Sequence, residues 1–95
     1  MASWQTERSY PGKTEKEIYE KTKKVIDGLA AKYSFKHEGN DLKLSGTVKR
    51  TGVDGSYRAS GDKITIALDF SFLIPGPLRE RVQGEVNKQM EQLFA

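Results

Sequence analysis

The sequence predicts an α+β fold: a mainly antiparallel sheet of four or five strands with two helices packed on one face, in the order β-α-β-β-β-β-α. Three observations carry this. Residues 63–72 alternate without a break, with Ile64, Ile66, Leu68, Phe70 and Phe72 on one side and Thr65, Ala67, Asp69 and Ser71 on the other. Alternation of that length belongs to a strand with one face against a core. Turn chemistry recurs at Gly39-Asn40, across residues 49–52 and at Gly61-Asp62, the spacing of roughly ten residues that consecutive hairpins require. Two helical patterns flank this meander, one ending near Tyr33 and one beginning at Pro77.

Residues 4–9 read as a short polar first strand. Tyr10-Pro11-Gly12 ends it, because proline presets one dihedral and glycine relaxes the next. Thr14-Glu15-Lys16-Glu17 has the form of a capping box, so the first helix starts there. Its apolar stripe is Ile18, Thr22, Val25, Ile26, Leu29 and Tyr33, stepped by threes and fours. Glu17–Lys21 and Glu20–Lys24 support its polar side in the favourable glutamate-first order.

The meander is tested by pairing its turns. With Glu38 against Asp41, His37 faces Leu42 and Phe35 faces Leu44. With Val48 against Val53, Leu44 faces Tyr57 and Leu42 faces Ala59. With Ser60 against Lys63, Ala59 faces Ile64, Tyr57 faces Ile66 and Val53 faces Phe70. The apolar residues then share one side of the sheet, which a slip of one residue would destroy. The same register sets Gly46 opposite Gly55 beside Leu68, leaving a notch without side chains. Such a notch allows close packing, bends the sheet or makes room for a ligand.

Leu73-Ile74-Pro75-Gly76-Pro77-Leu78 is an apolar corner without charge. It reads as a buried strand-to-helix connection or as an exposed apolar lip for docking on a hydrophobic surface, its candidate residues being Leu73, Ile74, Pro75, Pro77 and Leu78. Beyond it, Leu78, Val82, Val86, Met90, Leu93 and Phe94 mark the second helix. Gly84 on its far side costs about 1 kcal/mol relative to alanine.

At 95 residues the chain is expected to form one domain, spanning residues 1–95. The absence of cysteine removes disulfides, thiolate nucleophiles and cysteine-ligated metal centres. No run approaches the roughly 18 apolar residues of a membrane span, and the first residues lack the apolar centre of a signal peptide. A cytoplasmic location is expected. The net charge of +3 permits contact with an anionic surface without demanding nucleic acid.

No residue cluster declares a reaction, so no catalytic, cofactor-binding or metal-binding residue is assigned. His37 has no acid near it in sequence to orient it and no second ligand at metal spacing. Asp54 and Asp69 fall near one another on the outer face, where solvent relieves like charges. Gly52-Val53-Asp54-Gly55 has the letters of an RNA-binding GxxG loop but opens a strand and brings a carboxylate where phosphate would sit. The aromatic signature of an RNA-recognition sheet is missing, since Phe70 and Phe72 are assigned to the core. Lys43, Lys49, Arg50 and Arg58 form a candidate basic face, without interleaved aromatics for stacking.

Gly52-Val53-Asp54-Gly55, Ile64-Thr65-Ile66, Leu68-Asp69-Phe70-Ser71-Phe72-Leu73, the Pro-Gly-Pro corner and the final amphipathic helix together resemble the polyhydroxyalkanoic acid system protein family. The likeness covers nearly the whole chain, and the family supplies no catalytic residues to carry over. The resemblance implies a non-enzymatic accessory protein at or near polyhydroxyalkanoate storage granules, with the granule surface or granule proteins as partners. Two other readings stay open beside it: a small apolar-ligand carrier with a cavity between the sheet and the last helix, and a weak nucleic-acid-binding regulator. Self-association as a homodimer is also left open.

Overall fold

The computed structural model describes residues 2–95 and has the expected element order. The elements are β1 (Ala2–Ser9), α1 (Glu15–Tyr33), β2 (Lys36–Asn40), β3 (Ser45–Arg50), β4 (Val53–Ser60), β5 (Lys63–Phe70) and α2 (Gly76–Glu91). The five strands form one antiparallel sheet in the order β1-β5-β4-β3-β2, so the N-terminal strand closes the edge beside β5. Both helices contribute to the core on the same side of it, and the fold is α+β.

Helix α1 begins as its capping box dictates. The Thr14 hydroxyl accepts from the Glu17 N–H at 3.2 Å, and the Glu17 carboxylate accepts from the Thr14 N–H at 3.3 Å. It ends where Ser34 turns left-handed, at φ 59°, and its N–H reaches the Ala30 carbonyl. Ile18, Tyr19, Thr22, Ile26 and Ala30 are its buried residues. Helix α2 starts with Pro77 in its first turn, where the missing N–H has no bond to lose. It buries Val82, Val86 and Met90. The Tyr10 hydroxyl donates to the Met90 carbonyl at 2.6 Å, and a Lys32–Glu85 ion pair joins the two helices. Gly84 is exposed with open space around it, so no close contact requires it.

The β4–β5 hairpin has the expected register, from Ser60 opposite Lys63 to Val53 opposite Phe70. The other two hairpins differ. Strands β3 and β4 close on Arg50 and Val53 around a two-residue loop, Thr51-Gly52, with Gly52 at φ 84°. That tighter loop moves the register by two residues, so Gly46 lies opposite Tyr57, and Gly55 lies opposite Val48 and Leu68. The expected Gly46–Gly55 pairing is therefore corrected.

Gly39 and Asn40 are not the β2–β3 turn either. Strand β2 continues through them, and residues 41–44 make the reversal, with the Asn40 side chain accepting from the Leu42 and Lys43 N–H groups at 3.1 Å each. Leu44 takes the left-handed conformation at φ 51°. His37 thus meets Val48, and Leu42, expected on the core face, is 97% exposed. Both register shifts are even, which is why the assignment of faces survives them.

Phe72 is the other correction: it is 81% exposed rather than part of the core. The last rung is Ser71 N–H to the Gly52 carbonyl at 2.7 Å. The Ser71 carbonyl and hydroxyl oxygens then accept from Ile74 N–H and Leu73 N–H, at 3.0 Å and 3.2 Å. That turn breaks the alternation one residue before Phe72 would have pointed inward.

Candidate functional site

A partly buried polar network joins α1 to the sheet. His37 Nδ1 lies 2.5 Å from Asp27 Oδ1, and His37 Nε2 lies 2.6 Å from the Tyr57 hydroxyl. Next to it, the Tyr19 hydroxyl donates to Asp41 Oδ1 at 2.6 Å, and Lys23 Nζ lies 3.1 Å from the same oxygen. The Tyr19 and Tyr57 rings stack at 6.2 Å between centroids. His37 does therefore have an orienting acid, which sequence spacing alone did not reveal. Asp27 sits on the exposed side of α1, and the packing of α1 against β2 brings it to the imidazole.

This carboxylate–imidazole–phenol chain has the connectivity of a proton relay, but its end is sealed. Tyr57 is only 2% exposed, and its phenol pKa is raised by burial first, then by the phenol of Tyr19 and the carboxylates of Asp27 and Asp41. Burial, reinforced by the hydrogen bond to Asp41, likewise pushes the Tyr19 phenol up to about 12. Both phenols stay protonated at neutral pH. The cavity that touches Tyr57, between Ile26, Phe35, Val48, Leu68, Val82 and Val86, is about 30 Å³. That is room for about two water molecules. The space left between the sheet and α2 beside Tyr57 is therefore small.

The glycine notch is filled for the same reason. A Cβ on Gly46 would stand 2.4 Å from Cζ of Tyr57, whose ring lies across that glycine. A Cβ on Gly55 would stand 2.6 Å from Val48 Cγ2 and 2.7 Å from Leu68 Cδ2. Side chains of Tyr57, Val48 and Leu68 occupy the space beside these two glycines.

The four candidate basic residues do not form one patch. Lys49 and Arg58 project from the outer face at opposite ends of the sheet, Lys43 sits in the β2–β3 loop, and Arg50 turns to donate to the Tyr33 carbonyl at 2.8 Å. The outer face also carries Glu7, Glu38, Asp54 and Asp69, so it is mixed in charge. Among the described residues no group of three or more His, Asp or Glu side chains comes together as a metal site, and no helix is long and apolar enough to cross a membrane.

The apolar corner divides in two. Ile74 and Leu78 pack against the core, and Ile74 fills the space over Gly52. Leu73 is 77% exposed and stands beside Phe72, with Pro75 and Pro77 exposed after it. The lip is thus Phe72 and Leu73, held outward by the Ser71 turn. The sequence signal that marks it is the serine before Phe72, which competes for backbone hydrogen bonds and ends the strand.

Fold and surface define a two-layer α+β protein whose principal outward features are this apolar turn and an uncovered polar sheet face. The model of the family of proposed polyhydroxyalkanoic acid system proteins matches residues 12–94, and the chain belongs to that family. The match spans α1 through α2 and leaves β1 outside it. No curated protein and no solved structure matches the chain.

Proposed function

We propose that this chain is a non-enzymatic accessory protein of the polyhydroxyalkanoate system, acting in the cytoplasm, that attaches to storage granules or their coat proteins through Phe72 and Leu73. Membership of the family supports the system. The observation that carries the attachment is a pair of adjacent large apolar side chains, 81% and 77% exposed, on a turn whose neighbours Ser71 and Ile74 are fixed to the fold. Apolar residues scattered singly over a surface carry little meaning, whereas adjacent ones that make a contiguous patch favour contact with an apolar surface.

Full burial of a phenylalanine or leucine side chain contributes about 1.5–3 kcal/mol each. Association costs take several kcal/mol from that sum, so one lip attaches weakly and reversibly. Attachment of this kind suits a protein that exchanges on a crowded polymer surface.

Co-sedimentation with purified polyhydroxyalkanoate granules tests the proposal. The wild-type chain pellets with granules, while Phe72→Asp and Leu73→Asp remain in the supernatant with unaltered circular dichroism. Equal pelleting of wild type and both variants would overturn it.

A further inference from the structure

Asp54 and Asp69 stand directly opposite one another on β4 and β5, and Lys36 and Lys49 stand directly opposite one another on β2 and β3. Asp54 is also the partner of Lys49 across β3 and β4. The four side chains therefore form one row across the uncovered face, two carboxylates followed by two ammonium groups. Like charges directly opposite on neighbouring strands destabilise a sheet. Inside one chain the row is only partly relieved. Lys49 Nζ lies 3.8 Å from Asp54 Oδ1, Asp69 accepts a hydrogen bond from the Ser3 hydroxyl at 2.6 Å, and Lys36 has no ion pair among the described residues.

We propose that this open face is a self-association surface and that its occupant is a second copy of the chain. A twofold axis parallel to the strands, running between β3 and β4, turns the row end for end. Asp54 then faces Lys49 of the second copy, and Asp69 faces its Lys36; the reciprocal contacts follow from symmetry. Each like-charge pair meets two opposite charges. The next row, Ala67, Ser56, Thr47 and Glu38, brings Ser56 over Thr47 and Ala67 over Glu38. Beyond it, Arg58 comes over Ser45. No like charges collide in these rows, and the small side chains at the centre permit close approach.

The area sets the strength. Strands about 4.8 Å apart and rising about 3.3 Å per residue give a face of about 500 Å². Two such faces bury on the order of 1,000 Å², the lower bound for a specific contact, so the dimer is a weak one. Rotation about an axis along the strands leaves strand ends where they were. Both Phe72–Leu73 turns therefore point the same way, and the pair presents two lips to one surface. That consequence rests on the granule reading; the dimer does not.

Sedimentation equilibrium of the full chain from micromolar to millimolar concentration reads the association. A monomer–dimer equilibrium is expected that shifts toward monomer as salt is raised, because the row is exposed to screening. Asp54→Lys with Asp69→Lys, and separately Lys36→Glu with Lys49→Glu, each give monomer alone. Mixed in equal amounts, the two variants form a heterodimer tighter than the wild-type dimer. Amide chemical shifts that move with concentration at residues 54–58 and 65–69 locate the contact in the wild-type chain, whether or not the reversed variants fold. Phe72→Asp leaves the dimer intact and keeps this test separate from granule attachment. A wild-type chain that stays monomeric at millimolar concentration would overturn the proposal. So would concentration-dependent shifts confined to residues 71–74, or loss of association on Phe72→Asp.

Discussion

The ring of Tyr57 lies across Gly46, so close that a Cβ on the glycine would come 2.4 Å from both Cζ and the hydroxyl oxygen. Tyr57 cannot swing away cheaply, because His37 holds its hydroxyl at 2.6 Å and Tyr19 stacks on its ring. Gly46→Ala is therefore an overpacking change at a locked ring, expected to cost about 1–3 kcal/mol. A lower urea midpoint with an unchanged denaturant slope checks it. A variant as stable as wild type would mean that the ring is not fixed there.

The same pair of residues shows what was legible in the sequence. Alternation in β5 and the stripes of α1 and α2 determine which side chains go inward, because a side chain's face depends only on the parity of its position. Tyr57 was on the core face in either register. Its neighbour was not readable, since loop length sets register, and Thr51-Gly52 closes a loop two residues tighter than the run of turn-forming residues implies. The Asn40 side chain similarly delays the β2–β3 reversal past Gly39, carrying Leu42 out of the core. The Asp27–His37 contact and the outward Phe72 depend on how α1 packs against β2 and on a serine turn, neither of which a periodic pattern encodes.

Both ring nitrogens of His37 have a hydrogen-bond partner in the Asp27–His37–Tyr57 chain. With neutral imidazole, Nδ1–H donates to the Asp27 carboxylate and Nε2 accepts from the Tyr57 O–H. For the neutral ring, nitrogen chemical shifts are expected to report the Nδ1–H tautomer. Tyr57→Phe removes the hydroxyl that bonds Nε2 of His37, a side chain that is 6% exposed, and is expected to cost about 1–2 kcal/mol. A Tyr57→Phe chain that melts with the wild type would contradict this account of the network.

All four tyrosines have phenols raised above their ordinary value. Burial is the leading cause at each, opposed by Arg8 at Tyr10 and reinforced by Asp41 at Tyr19 and by Glu85 at Tyr33. A raised folded-state pKa means that the folded chain binds more protons than the unfolded chain above pH 10, so unfolding releases them. The stability these phenols contribute is complete below about pH 10 and declines as pH rises through about 12, the folded value for Tyr19. Absorbance of phenolate is expected to appear together with the loss of helical ellipticity, rather than before it. Four tyrosines titrating near pH 10 in a chain that stays folded would rule this out.

Thr22 lies in the buried stripe of α1 with no accessible surface, and its hydroxyl oxygen has no hydrogen-bond partner among the described residues. A buried hydroxyl without a partner costs about 1–3 kcal/mol, far more than the small difference in helix propensity between threonine and valine. Valine has nearly the same shape and puts a methyl group where the hydroxyl stands. Thr22→Val is therefore expected to stabilise the fold by about 1 kcal/mol. In a protein of this size that is a rise in melting temperature of about 4–8 °C. Thr22→Ser keeps the hydroxyl and loses the methyl, so it should fall below wild type. The order valine above threonine above serine, measured by thermal denaturation, separates an unpaired hydroxyl from a hidden hydrogen bond, which would place threonine above valine.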